Sequence, residues 1–187
     1  MTWKEALVST IKEILQTALI SLGIFLVVYV FLVQPHRVQG ISMETSFENG
    51  ELLLTEKLSY RISRIERGDV IVFQAPVEQK VDFIKRVIGL PGENVQIKDE
   101  GVYINGDKLT EPYISKPTEG TVNVTLGRDD IFVMGDNRTA SSDSRSFGSI
   151  KKSTIRGKVW LVYWPFFKGG GFEGTRVLHG IDYSIPN

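Results

Sequence analysis

The chain has 187 residues, a length suited to one domain. Its 22 basic and 22 acidic residues cancel, which argues against a nucleic-acid binder driven by bulk positive charge. Cysteine is absent, which excludes disulfide frameworks, thiol nucleophiles and cysteine-ligated metals, and two histidines, His36 and His179, leave little for a His-rich metal site or a Ser-His-Asp scheme.

Residues 14–33 contain no charge. As a helix, 20 residues rise ~30 Å, about the hydrocarbon thickness of a bilayer. A buried core helix is the structural alternative, but the run has no polar stripe and the rest of the chain is too small to cover it. It also exceeds the apolar stretch of a cleaved signal peptide, and Gln34-Pro35-His36-Arg37 offers no small-x-small cleavage site. The reading is an uncleaved single-pass anchor. Lys4 and Lys12 before it and Arg37 after it give a small positive-inside bias. Residues 1–13 then form a cytoplasmic N-terminus that extends the helix, 14–33 span the membrane, and 34–187 form an extracytoplasmic domain.

From residue 38 the texture is β: short apolar runs alternate with turn signals. Strands are expected at 50–58, 67–73, 81–89, 94–98, 101–105, 121–126, 130–135 and 156–166, with a turn at Asn105-Gly106. Residues 38–168 thus form an all-β domain, a compact barrel or a pair of packed sheets. The more polar 93–128 stretch reads as a hairpin excursion.

Four polar segments sit beside turns. Gly40-Ile41-Ser42-Met43-Glu44-Thr45-Ser46 offers a serine beside a glycine; the alternative is an ordinary loop serine. In VDFIKRVIG, alternation puts Lys85 on one face with Val81, Phe83 and Val87. If that face is buried, desolvation lowers the lysine pKa and lets the amine take a proton from serine; the alternative is an edge lysine reaching water. Periodicity does not choose, because the opposite face is also partly apolar. Asp136 and Arg138, then Ser141, Asp143 and Arg145, suggest an ion-pair network holding a loop, against a plain solvated loop. Arg67-Gly68-Asp69 reads as a turn entering a strand, not as a recognition tripeptide.

In order along the chain, an anchor, GxSM (40–43), RGDVIVF (67–73), KRVIGLPGE (85–93) and GDNRTASSDSRSFG (135–148) resemble the bacterial type I signal peptidases, in the small Gram-positive-like form. These are membrane-bound Ser/Lys endopeptidases that remove signal peptides from exported preproteins after Ala-x-Ala-type residues. The resemblance implies the antiparallel all-β signal peptidase core, with Ser42 as nucleophile and its backbone N–H in the oxyanion hole. Lys85 is then the general base and Ser141 the residue orienting it. Asp143 and Arg145 match a structural ion pair, and Asp136, Arg138 and Arg86 match supporting charges. No metal or cofactor is implied. The implied partners are preproteins and membrane lipid, with the translocation machinery a candidate, and the implied location is the bacterial plasma membrane. A serine hydroxyl that some members add to the oxyanion hole is missing, since Gly40 stands at its position.

The sequence departs from the family pattern SMxPTL at Thr45, Ser46 and Phe47. Proline restricts its own φ and the residue before it, so its loss predicts a less constrained turn at the nucleophile. This favours, as a rival, a degenerate non-catalytic relative; a membrane-tethered β binding module is the other. The substrate would lie extended along 81–85 and 38–41. Trp160, Trp164, Phe166 and Phe167 are candidates for contact with the bilayer interface, or simply for packing.

Overall fold

In a computed structural model, residues 3–31, 33–57, 65–76, 81–165 and 176–178 are described. Helix α1 runs over Trp3–Phe31, so the residues preceding the uncharged run do extend it. The apolar stretch Leu7–Val27 is long enough to cross a bilayer, and none of it is buried against protein. The helix stops short of the expected boundary: Val33 already belongs to strand β1 (Val33–Arg37).

The strands follow as β2 (Leu52–Glu56), β3 (Val70–Gln74), β4 (Asp82–Gly89), β5 (Asn94–Lys98), β6 (Gly101–Ile104), β7 (Asp107–Lys108), β8 (Val122–Thr125), β9 (Asp130–Met134), β10 (Ile150–Lys151), β11 (Ile155–Trp164) and β12 (Arg176–Val177). A short helix, α2 (Ser144–Phe147), precedes β10. The strand pairs are antiparallel. One sheet has the order β1-β2-β11-β3-β4-β9-β10, with β12 on β11; the second is β7-β6-β5-β8. The 93–128 stretch therefore builds a four-stranded sheet, more than a hairpin.

Strand β3 shows why the large sheet is stable. Its run of Val70, Ile71, Val72 and Phe73 is buried on both faces. Val70 and Val72 join Met43, Phe47, Leu53, Val159 and Val162 on one side; Ile71 and Phe73 join Val87, Ile131, Val133 and Ile150 on the other. A third cluster, around Val95, Ile97, Val102, Phe132 and Met134, ties the small sheet to β9. Apolar burial of this kind is the main favourable term in folding. Where β4 turns toward the small sheet, Gly89 has no room for a Cβ, which would meet Val95, Leu126 and Phe132.

The Arg67-Gly68-Asp69 segment is a turn, as expected. Gly68 has φ +90°, Arg67 pairs with Glu93 at 2.6 Å, and Asp69 is buried against Lys158 at 2.5 Å.

Candidate active site

Strand β4 carries Lys85, and its register puts Lys85 opposite Ile71 of β3. Both faces of β4 are buried, against different clusters. Val87 packs with Ile71 and Phe73, Ile84 with the cluster around Val70, and Ile88 with the core of the small sheet. That is why alternation alone could not choose. Phe83, on the Lys85 face, packs between Phe73 and Phe147 and lies 5.3 Å from the Lys85 ammonium position.

Ser42 lies 43 residues upstream, in the loop between β1 and β2. Its Oγ is 2.7 Å from Lys85 Nζ, which also donates to the Ile84 carbonyl at 3.0 Å. Lys85 is 4% exposed. Burial lowers its pKa from 10.5 to about 8, and the carboxylates of Asp143 and Asp136 only partly oppose this. The amine is thus poised near neutrality, within hydrogen-bond reach of a hydroxyl.

The loop carrying Ser42 is clamped from both ends. Met43 and Phe47 are buried, and Phe47 N–H donates to the Met43 carbonyl at 2.8 Å. Asn137 holds the loop from the side. Its N–H donates to the Ser42 carbonyl and its Nδ2 to the Ile41 carbonyl, each at 3.1 Å. Gly135 passes beneath, where a Cβ would collide with the Ser42 carbonyl and Ser141 Oγ. Among the described residues, no acceptor takes the Ser42 N–H. The replacements for the family proline, threonine and leucine are all engaged. Thr45 Oγ1 donates to the Tyr113 carbonyl at 3.1 Å, Ser46 Oγ accepts from Arg86 at 3.3 Å, and Phe47 fills the core. Tertiary contacts thus hold all three positions, where a proline would have restricted the chain locally.

A groove of about 400 Å³ opens over this pair, walled by 36–42 on one side and 81–85 on the other. β9 pairs with β4 only from Arg86 onward, which leaves one edge of residues 82–85 without a strand neighbour among the described residues.

Residues 11–164 match the family described as "Signal peptidase, peptidase S26". The chain belongs to the signal peptidase family. Signal peptidase I of Bacillus caldolyticus is 43% identical over 151 residues, covering 73% of this chain and 82% of that one. Signal peptidase I of Bacillus licheniformis is 36% identical over 172 residues, covering 84% and 91%. Signal peptidase IB of Staphylococcus aureus is 33% identical over 177 residues, covering 83% and 92%. A crystal structure of a signal peptidase I from Enterococcus faecalis V583 is 33% identical, with a TM-score of 0.48, covering 52% of this chain and 97% of that one.

As a serine endopeptidase of this family, the chain surrounds Ser42 and Lys85 with buried ion pairs. Asp143 is fully buried and caps α2. Burial alone would raise its pKa, but hydrogen bonds from Arg145 and from Gly135 N–H overcome that and hold the carboxyl below its usual range. Arg145 reaches on to the Arg138 carbonyl at 2.6 Å. Asp136 takes two bonds from Arg86, at 2.6 and 2.8 Å, and Arg86 stacks 4.2 Å from the Tyr113 ring. Arg138 pairs with Glu111 and Thr118, and its Nε donates to the Gly135 carbonyl at 3.1 Å. Two Asp/Arg sets were expected inside one loop. Only Asp143–Arg145 is such a local pair; Asp136 and Arg138 each find a distant partner. Ser141 Oγ is buried next to this cluster without a hydrogen bond of good geometry, and the bonds of Lys85 go to Ser42 and Ile84.

Sequence reasoning left out Asn137 and Glu111 as site residues. Asn137 lies inside the GDNR motif, between two residues that were assigned, so the signal was there. Glu111 lies in the turn-rich 93–128 stretch and carries no local signal.

Proposed function

We propose that this enzyme cleaves signal peptides from exported preproteins by a Ser42/Lys85 dyad. The observation carrying the reading is the 2.7 Å approach of Lys85 Nζ to Ser42 Oγ at the floor of the groove. Neutral Lys85 removes the hydroxyl proton as Ser42 Oγ attacks the scissile carbonyl. The oxyanion is held by Ser42 N–H, with Gly40 supplying no further side-chain donor. The tetrahedral adduct collapses, the C–N bond breaks, and protonated Lys85 returns its proton to the leaving amine. Lys85 then deprotonates water for hydrolysis of the acyl-enzyme, which restores both groups. Ser141, with its buried hydroxyl, is the group assigned to orient the amine.

The substrate lies extended between 38–41 and 81–85, adding a strand to the open edge of β4 and sending alternate side chains into the groove. Its apolar wall, with Val38, Leu53 and Val72, suits small residues of Ala-x-Ala type. Helix α1 anchors the enzyme in the plasma membrane with its N-terminus cytoplasmic, so that residues 34–187 face outward. The translocation machinery delivers the chains to be cut. Substrate and enzyme then share one thin layer, which raises their effective concentration. Trp160 and Trp164 are exposed and available to the lipid interface, while Phe166 and Phe167 lie outside the described residues.

The test is cleavage of a preprotein with an Ala-x-Ala site by the full chain in detergent or liposomes, beside Ser42→Ala. Cleavage at the expected bond, lost in the variant, is the expected result. Cleavage that survives Ser42→Ala refutes the dyad, and a folded wild type without cleavage identifies a degenerate relative.

A further inference from the structure

Strand β12 brings a late part of the chain back to the loop that carries Ser42. It pairs with β11, with Val177 opposite Leu161 and Arg176 opposite Val162, and Leu178 N–H donates to the Trp160 carbonyl at 2.9 Å. From this place Arg176 makes three contacts with residues 46–51. Its Nη1 and Nη2 donate to the two carboxylate oxygens of Glu51 at 2.9 and 2.8 Å. Its Nη2 also donates to the Ser46 carbonyl, and the guanidinium lies 5.3 Å from the centre of the Phe47 ring. Glu51 is 2% exposed and accepts in addition from Glu48 N–H at 3.1 Å. A buried carboxylate thus fixes the fork of the arginine, and the arginine in turn holds Ser46.

Ser46 and Phe47 end the turn that Ser42 begins. Asn137 holds its first residue, through the Ser42 carbonyl, and Arg176 and Arg86 hold its last part, one at the carbonyl of Ser46 and the other at its hydroxyl. Both arginines line a second cavity, of about 240 Å³, behind the loop, together with Ser46, Phe47 and Tyr113. Arg176 is not among the residues that line the substrate groove. It therefore reaches the reaction only through the turn. That turn has Thr45 where the family pattern has proline, so its shape depends on bonds from distant parts of the chain. Ser42 Oγ must stay within hydrogen-bond reach of Lys85 Nζ, and a misplacement of ~1 Å at a reacting centre can cost ~100-fold in rate.

We propose that Arg176 is a positioning residue for Ser42: from β12 it holds the far end of the turn and so keeps the hydroxyl against Lys85. The proposal rests on the dyad described above. It adds that a residue 130 positions from Ser46, outside the groove and outside the motifs that carry the resemblance, sets turnover.

The experiment compares full-length wild type, Arg176→Met, the double variant Arg176→Met with Glu51→Gln, and Arg176→Lys, in detergent on a peptide with an Ala-x-Ala site. kcat and KM are measured well below each melting temperature. Arg176→Met leaves Glu51 charged and buried, so its melting temperature should fall; the double variant removes both charges and should recover much of that loss. Neither restores a donor to the Ser46 carbonyl. Both should therefore lose about tenfold to a hundredfold in kcat, with KM within about twofold of wild type. A merely structural role would instead return kcat together with the melting temperature. Arg176→Lys keeps a charge for Glu51 but not the fork that serves carboxylate and carbonyl together, so it should melt near wild type and lose about threefold or more in kcat. This variant decides the matter if the other two do not fold. Wild-type kcat in the folded double variant or in Arg176→Lys, or a loss confined to KM, overturns the assignment. If wild type cuts the peptide in a Ser42-dependent way while these variants keep its kcat, only the role of Arg176 fails. If wild type does not cut it, or Ser42→Ala does, the dyad reading fails first.

Discussion

Titration of Lys85 should be visible directly in the rate. Burial brings its pKa from 10.5 to about 8. That lowering corresponds to ~3.4 kcal/mol favouring the neutral amine. Because Asp143 and Asp136 act in the opposite direction, desolvation alone contributes more than this net figure. With a pKa of about 8, roughly one hundredth of the enzyme holds a neutral amine at pH 6, one tenth at pH 7 and nine tenths at pH 9. The assay is kcat/KM on a peptide without titratable groups in this range, with full-length enzyme in detergent from pH 5.5 to 10. The rate should rise about tenfold per pH unit, bend at about 8 and then level. Lys85→Arg should remove activity at every pH, because a guanidinium cannot be deprotonated in this range. A bend near 10.5 would mean that the amine is not desolvated in solution. A flat profile, or an active Lys85→Arg, would mean that another group is the base.

Further outcomes follow from the same geometry. Folded Lys85 titrates below its unfolded value, so between pH 8 and 10.5 the unfolded chain binds more protons and stability rises with pH; below pH 8 the lysine costs up to ~3 kcal/mol. Thermal melts of Lys85→Met should therefore exceed wild type at pH 7, with the gap nearly closed at pH 10.5; a gap independent of pH would refute this. Gly135→Ala should push Ser141 and the Ser42 carbonyl apart and lower kcat more than KM, measured on the same peptide. Asp136→Ala should leave Arg86 charged and buried and cost ~3–5 kcal/mol in denaturant unfolding, whereas the double variant Asp136→Leu with Arg86→Met, which removes both charges, should cost less.

The local pattern of the chain carried much of this architecture. Strands at 94–98 and 130–134 stand where the short apolar runs between turns placed them. Strands β1, β7, β10 and β12 were not expected, since VQPHR, DK, IK and RV have too little apolar alternation and are held by their neighbours: β1 by β2, β7 by β6, β10 by β9, β12 by β11. The boundary at Val33 was missed for a related reason. An uncharged residue fits a bilayer helix and a strand equally well, and pairing with Glu56 decided the matter.

What the sequence determined by itself was the charge-free stretch that makes α1 long and apolar enough to cross a bilayer, and the alternation that puts Lys85 beside Phe83. Its motif order also carried the resemblance to signal peptidases. Those are properties of neighbours along the chain. The partner of each buried charge was a different matter. Asp136 pairs with Arg86, 50 residues away, and not with Arg138 two residues on, because β4 and β9 pair Arg86 with Met134 and so bring residue 136 alongside. The same is true of Lys85 itself. Its pKa near 8 and its 2.7 Å approach to Ser42 come from a sheet that buries β4 on both faces and a loop pinned by Asn137. Desolvation acts through every element packed around a group, and only the folded chain brings those elements together.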